Sequence, residues 1–269
     1  MASDEPEQEP RQELRPEPQV EHDFDRLVEE GQERLHRPFL ALVATGLLGG
    51  VDIGTGLLAY LVVRDTTGSV VLSGIAFSIA FVALLLARSE LFTENFLVPV
   101  TAVVAKHGSP VALLRLWAVT LVTNLVGGAL MAWVVVHARP DLQATARETG
   151  THYADLGVSL ESLLLAVLAG AVITLMTRMQ HATESLGVQL VPAVLLGSLL
   201  AGAELFHCVL DSLFIFAAMF SGADIGVGEW PVALAWSALG NAIGGIGLVT
   251  AIRLLRVPKR VEEARADPA

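Results

Sequence analysis

The sequence predicts an all-α integral membrane protein with six transmembrane helices in two inverted three-helix repeats, the second and fifth helices broken. Three observations carry this. Of the 269 residues 53% are hydrophobic and only 17% charged, with a mean hydropathy of +0.60. The aliphatic residues run in blocks with charges at their borders, and a block of about 20 is what the hydrocarbon core requires. A soluble domain would interleave the two at helical or strand period. Finally, two short motifs, Glu-Leu-Phe and Asn-x-x-Gly-Gly, each occur twice at a nearly constant separation.

The elements follow in order. Residues 1–20 are rich in Pro, Glu and Gln and have little to bury, so they read as a disordered acidic tail. Residues 21–38 place Phe24, Leu27, Val28 and Leu35 on a narrow stripe opposite a charged face. That is the pattern of an amphipathic helix lying on the cytoplasmic membrane surface or docked on the bundle, where it could also gate a pore mouth. The transmembrane domain covers 39–255. Its spans are Phe39–Val63, then Val70–Ala87 resuming at Phe96–Ala105, then Leu113–Val136 and Leu160–Met176. The fifth runs from Leu190 to Phe220 with an interruption at Glu204–Asp211, and the sixth is Trp230–Ile252. Barrel strands would alternate polar and apolar residues over about ten positions, and these segments do not. Residues 256–269 form a second cytoplasmic tail.

The first apolar run begins only at Phe39, so no cleavable signal peptide is expected. With the N-terminus inside, the inner loops carry Arg34, Arg37, Lys106, Arg115, Arg253 and Arg256 among others, and the outer loops only Arg64, Arg139 and Arg147. Positive residues favour the inside, which predicts a multi-pass protein of the cell inner (plasma) membrane with both termini cytoplasmic. The net charge of −11 comes partly from the acidic tail and says little about a partner. The single cysteine, Cys208, excludes a disulfide framework and any multi-cysteine metal site. No nucleotide loop, metal-ligand spacing or nucleic-acid patch is present, and no cofactor is expected.

"SELF" at 89–92 and "AELF" at 203–206 interrupt the second span of each half, 114 residues apart from Glu90 to Glu204. "TNLVGGAL" at 123–130 and "GNAIGGIG" at 240–247 share Asn-x-x-Gly-Gly in the third span, 117 residues apart from Asn124 to Asn241. Three spans per copy is an odd number, so the second copy enters the membrane from the opposite side. Inverted repeats with one broken helix each place a pathway near the bilayer midplane. Backbone left unpaired at the breaks is tolerated only inside protein or beside water, and the half-helix ends supply donors for a dehydrated solute.

These residues also carry a resemblance. "SELFTENFLVPVTAVVAKHG", "LWAVTLVTNLVGGAL", "FHCVLDSLF" and "LGNAIGG" resemble the formate/nitrite transporter family from about Phe39 to Ile252. The resemblance implies an aquaporin-like protomer in a homopentamer, each protomer with its own pore. It also implies passage of small monovalent anions or their weak acids, such as formate, nitrite or hydrosulfide, with protons as partners. It assigns His207 as the central histidine, Thr93 as the threonine of the first break, and Leu91, Phe77 and Leu200 as apolar constrictions that gate by dewetting.

The chain departs from the family pattern in three places. Asp211 stands where an asparagine is usual, Phe206 replaces an acidic residue before the histidine, and "THYADLGVSLES" offers His152 and Tyr153 but no lysine. If the helix is regular from His207, Asp211 shares its face, favours an imidazolium and opposes an anion. Glu90 and Glu204 sit at membrane depth, where a carboxyl either faces the pathway or holds a broken helix in shape. Arg88 either pairs with one of these acids or lies near the inner interface and snorkels. His207, Cys208 and Asp211 resemble a nucleophile–base set, but one cysteine with no second core histidine does not make an enzyme site. The remaining alternative is a non-conducting or differently selective pentameric membrane protein.

Overall fold

The computed structural model describes residues 18–266; most of the tail expected at 1–20 lies outside them. The described residues form helices and loops, with no strand among them. Helix α1 is Pro18–Leu35, α2 is Phe39–Thr67, α3 is Val70–Phe77, α4 is Ile79–Ala87 and α5 is Val98–Val104. Then come α6 at Pro110–Ala138, α7 at Gln143–Asp155, α8 at Leu160–Gln180, α9 at Leu186–Gly202 and α10 at Cys208–Phe220. The chain closes with α11 at Glu229–Ala242, α12 at Ala251–Leu254 and α13 at Pro258–Ala266.

Among the described residues five stretches are long and apolar enough to cross a bilayer: Phe39–Thr67, Val70–Ala87, Pro110–Ala138, Leu160–Gln180 and Glu229–Leu254. Helices α9 and α10 are apolar too, each shorter than such a stretch. Their outward faces present Leu40, Leu48, Val122, Leu164, Leu195 and Ile252 at about half exposure or more, as a lipid-facing surface requires. Within the last crossing the Gly-rich run Ile243–Thr250 is wound as a π-helix.

Inside the bundle the two halves repeat one packing scheme. A Cβ on Gly50 would come 2.2 Å from the Asn124 carbonyl, and one on Gly170 would come 2.0 Å from the Asn241 carbonyl. Gly127 meets the Leu47 carbonyl at 2.3 Å, and Gly244 meets that of Val167 at 1.9 Å. Only glycine permits such contact between helix backbones, so α2 on α6 and α8 on α11 are the same crossing made twice. The α3–α9 crossing, where the halves meet, pairs Gly74 with Gly202.

Three elements lie outside the spans. Helix α1 ends at Leu35, and Pro38, which has no backbone N–H to donate, stands as the N-cap of α2 (φ −56, ψ 142). Its stripe is seated on the bundle: Leu27 packs with Leu97 and Val98, and Phe24 and Val28 with Ala105, Val257 and Val261. Part of the expected 256–269 tail is helix α13, and Arg260 on it forks onto Asp25 of α1 at 2.8 and 2.9 Å. Helix α7 was read in sequence as an outer loop. Its Ala146, Thr149, Gly150 and Tyr153 form one buried face against α10. The signal was this i, i+3, i+4, i+7 spacing, hidden because three of the four residues are small and weakly hydrophobic.

Candidate functional site

The broken spans are terminated identically. In the first, Arg88 takes φ 53 and the Ser89 amide reaches the Leu84 carbonyl at 3.2 Å. In the second, Glu204 takes φ 50 and the Leu205 amide reaches the Leu200 carbonyl at 3.0 Å. A left-handed residue followed by an amide bonded five residues back is a Schellman-type helix end. Both use non-glycine residues, so the surroundings hold a costly conformation.

Each break is then held by an asparagine from the following span. Asn124 donates to the carbonyls of Gly46 and Glu90, both at 2.8 Å, and accepts the Phe92 amide at 2.8 Å. Asn241 donates to the carbonyls of Ala166 and Phe206, both at 2.8 Å, and accepts the Cys208 amide at 3.0 Å. The bonds equate Glu90 with Phe206 and Leu91 with His207, each 116 residues on. This corrects the Glu-Leu-Phe alignment by two residues: Glu204 corresponds to Arg88, and Glu90 to Phe206.

The two breaks meet at Thr93 and His207. Both are fully buried, and Thr93 Oγ1 lies 2.7 Å from His207 Nε2. The other ring nitrogen, Nδ1, accepts the Leu210 backbone amide at 3.2 Å. A backbone N–H can only donate, so a neutral ring carries its proton on Nε2 and donates it to Thr93. The Thr93 hydroxyl keeps its own proton to offer. Leu91, Phe77 and Leu200 are all fully buried, and Phe77 packs edge-on against Phe81 at 6.0 Å.

The carboxylates fall elsewhere than expected. Asp211 Oδ1 accepts the backbone amide of His207 at 3.1 Å, and Oδ2 faces the Ser237 hydroxyl at 3.4 Å. It therefore caps α10 and does not bond the imidazole, because both ring nitrogens are already engaged. Glu94 does the same in the first break, taking the Leu91 amide at 3.3 Å. Glu90 is buried and paired with Arg37, with Arg34 at 4.0 Å; Arg88, expected as such a partner, is exposed. Glu204 is 40% exposed, 3.9 Å from His152.

On the α1 side the first break opens into a cavity of about 700 Å³ lined by Arg34, Arg37, Arg88, Glu90, Glu94 and His181, among others. Helix α1 walls it through a chain of pairs. Glu30 contacts His181 Nε2 at 3.0 Å and Arg34 at 2.6 Å, and Arg26 bonds the His181 carbonyl. Burial pushes the Glu30 carboxyl up, but the bonds from His181 and Arg34 outweigh it and bring it down to about 2. Sequence reasoning missed His181 and the Arg34–Glu30 pair, which only the docking of α1 on the bundle brings together.

Two equivalent helix breaks meeting at a buried donor pair, with a charged cavity on one side, define a channel-like membrane protein. The formate/nitrite transporter family model matches residues 21–255, and the chain belongs to that family, one of transporters and not of enzymes. An inner membrane protein of Escherichia coli (strain K12), YfdC, is 29% identical over 233 residues, 81% of this chain and 72% of that one. A formate-nitrite transporter of Plasmodium vivax is 32% identical over 129 residues, covering 44% of this chain and 41% of that one. Among solved structures, a pentameric formate channel with formate bound superposes with a TM-score of 0.69 at 21% identity, over 81% of this chain and 96% of that one. A structure described as an FNT family ion channel gives 0.73 at 17% identity, over 89% and 99%.

Proposed function

We propose that the chain conducts small monovalent anions or their weak acids, formate- or nitrite-like, with protons moving alongside, through a pathway between Thr93 and His207. The observation that carries this is the Thr93–His207 bond at the meeting of the two breaks. Its ring orientation leaves a hydroxyl proton for a passing solute where the surrounding wall is apolar and fully buried. Leu91, Phe77 and Leu200 serve as the constrictions that strip water. Glu90 and Glu204 shape the two entrances, and Asp211 fixes the amide of His207.

The relatives' names support an inner-membrane location and a homopentamer. A cytoplasmic placement of the face that carries α1 and α13 is supported by the positive residues of the adjoining loops, Arg37, Lys106, Arg115 and Arg256. The test is stopped-flow flux of formate, nitrite, hydrosulfide and chloride in proteoliposomes. Losing a hydrogen-bond donor at a dehydrated site costs about 1–3 kcal/mol, so Thr93→Val is expected to slow the carried solute about 5- to 150-fold. Flux no faster than in empty vesicles for every one of these solutes would sink the proposal.

A second reading, a pore that disfavours bare anions, is favoured by one observation: neither Asp211 nor Glu204 lines the α1-side cavity, and Glu204 lies 3.9 Å from His152 of α7.

A further inference from the structure

Two spans end together on the α1 side, and each carries an arginine in its last turn: Arg178 on α8 and Arg253 on α12. The packing brings the two ends level. A Cβ on Gly170 would come 2.0 Å from the Asn241 carbonyl, and one on Gly245 would come 2.4 Å from Thr174 Oγ1. The two spans therefore run side by side in the same direction. Arg178 follows Thr174 by four residues and Arg253 follows Gly245 by eight. That places them at most about 6 and 12 Å further along the spans, a difference two arginine stems can bridge. Arg256 is three residues beyond Arg253, where Leu254 and Val257 pack with Phe24 and Val28 of α1.

The charges in this corner do not balance. Arg253 lies within electrostatic reach of Arg178, Arg256 and Arg26, and of one acid, Asp23. Asp23 already stands 3.7 Å from Arg26 on its own helix, and Arg26 also bonds the His181 carbonyl. Among the described residues Arg178, Arg253 and Arg256 make no hydrogen bond or ion pair. A cation at a helix C-terminus offsets the helix dipole, which accounts for each arginine singly. It does not account for gathering them, because like charges repel and the one acid in reach is taken.

The neighbouring surface is apolar. Met179, Ile252 and Leu255, each next in sequence to one of the three arginines, are exposed. Where a span ends, arginine heads reach the level of the lipid headgroups while apolar side chains stay with the acyl chains.

We propose that Arg178, Arg253 and Arg256 form a binding site for the phosphate of an anionic phospholipid in the leaflet on the α1 side, its acyl chains lying over Met179, Ile252 and Leu255. Guanidinium groups fork onto phosphate oxygens, and basic pockets between spans on the cytoplasmic side are where acidic headgroups bind. The net negative charge of the lipid relieves the repulsion among the arginines. A zwitterionic headgroup carries the same phosphate but returns a cation to the patch, so the site selects the anionic lipid. The inference is independent of what the pore carries.

The experiment is native mass spectrometry of the full chain in detergent, titrated separately with phosphatidylglycerol, phosphatidylcholine and inorganic phosphate. Phosphatidylglycerol is expected to bind about tenfold or more tighter than phosphatidylcholine, and inorganic phosphate, which has no acyl chains, is expected not to be retained. The combined variant Arg178→Gln, Arg253→Gln, Arg256→Gln is expected to weaken phosphatidylglycerol binding about tenfold or more. Arg253→Gln alone, which keeps the test open if the combined variant does not assemble, is expected to weaken it about threefold or more. Size exclusion checks assembly. The control Lys106→Gln with Arg115→Gln takes two positive residues from the same membrane face outside the patch, and is expected to leave affinity within about twofold of wild type. Equal weakening in that control would mean that the whole face attracts anionic lipid, and would overturn the site. So would equal affinity for the two lipids, unchanged affinity in the arginine variants, or inorganic phosphate held as tightly as the lipid.

Discussion

Asn124 and Asn241 hold the two breaks, and replacing either with Ala tests whether the repeat is a working structural unit. Each side chain closes three bonds. In the Asn124→Ala variant the Gly46 carbonyl keeps its place in the α2 ladder. The Glu90 carbonyl and the Phe92 amide lose the partner the structure gives them. Leaving a buried polar group unpaired costs about 1–3 kcal/mol, so two such groups predict a loss of about 2–6 kcal/mol. That exceeds the ~0.6 kcal/mol average of a transmembrane side-chain bond whose partners re-pair elsewhere. Because Asn241→Ala strips the Phe206 carbonyl and the Cys208 amide in the same way, its cost should match. The assay is equilibrium unfolding by SDS titration in mixed micelles, followed by tryptophan fluorescence. A loss under about 1 kcal/mol in either variant, or costs differing by more than about 2 kcal/mol, would refute the claim that the asparagines clamp equivalent dry backbone.

Other outcomes follow from the arrangement at the α1 face. Gly31→Ala places a Cβ 2.6 Å from the Val98 carbonyl and 2.7 Å from the Ala102 Cβ, so α1 should lift from α5, and limited proteolysis should cut near it several times faster than in wild type. Glu30 has a depressed folded-state value, about 2 against an ordinary 4.5. Its stabilisation of α1 docking is therefore full above about pH 4.5 and lost as pH falls toward 2. Hydrogen exchange in 18–35 should accelerate over that window in wild type and lose much of this dependence in Glu30→Gln; identical pH profiles would contradict it. Arg260→Ala removes the fork onto Asp25, a partly exposed pair worth about 1 kcal/mol or less. It should raise exchange in α1 only modestly, and less at high salt.

Much of this architecture was legible in the sequence because membrane spans advertise themselves by length and composition alone. The breaks were legible because charges at membrane depth are rare. The role of each charge was not. Asp211 looked like a partner for the His207 ring from its i+4 spacing, but that spacing equally suits a carboxylate reaching back to the backbone amide at a helix start, which is where it sits. Glu90 looked like a pathway acid, and its partners Arg37 and Arg34 come from the α1–α2 corner, 53 and 56 positions away in the chain. Helix α7 went unseen because packing of small residues on α10 supplies what its weak hydrophobicity does not.

The misregister of Glu-Leu-Phe has a physical reason. What recurs in each half is a left-handed residue, a carbonyl two positions on, an amide two further, and the asparagine that binds both. Backbone groups do this work, so the side chains at those positions are free to diverge. Arg88 answers to Glu204, Glu90 to Phe206 and Leu91 to His207. The repeated letters are thus a two-residue coincidence laid over a true repeat, while the asparagines, whose side chains do the binding, kept their identity. The same freedom produced the site. One half puts leucine at the crossing residue and the other puts histidine there, so an inverted structural symmetry yields a single donor pair, and a pathway with two chemically different ends.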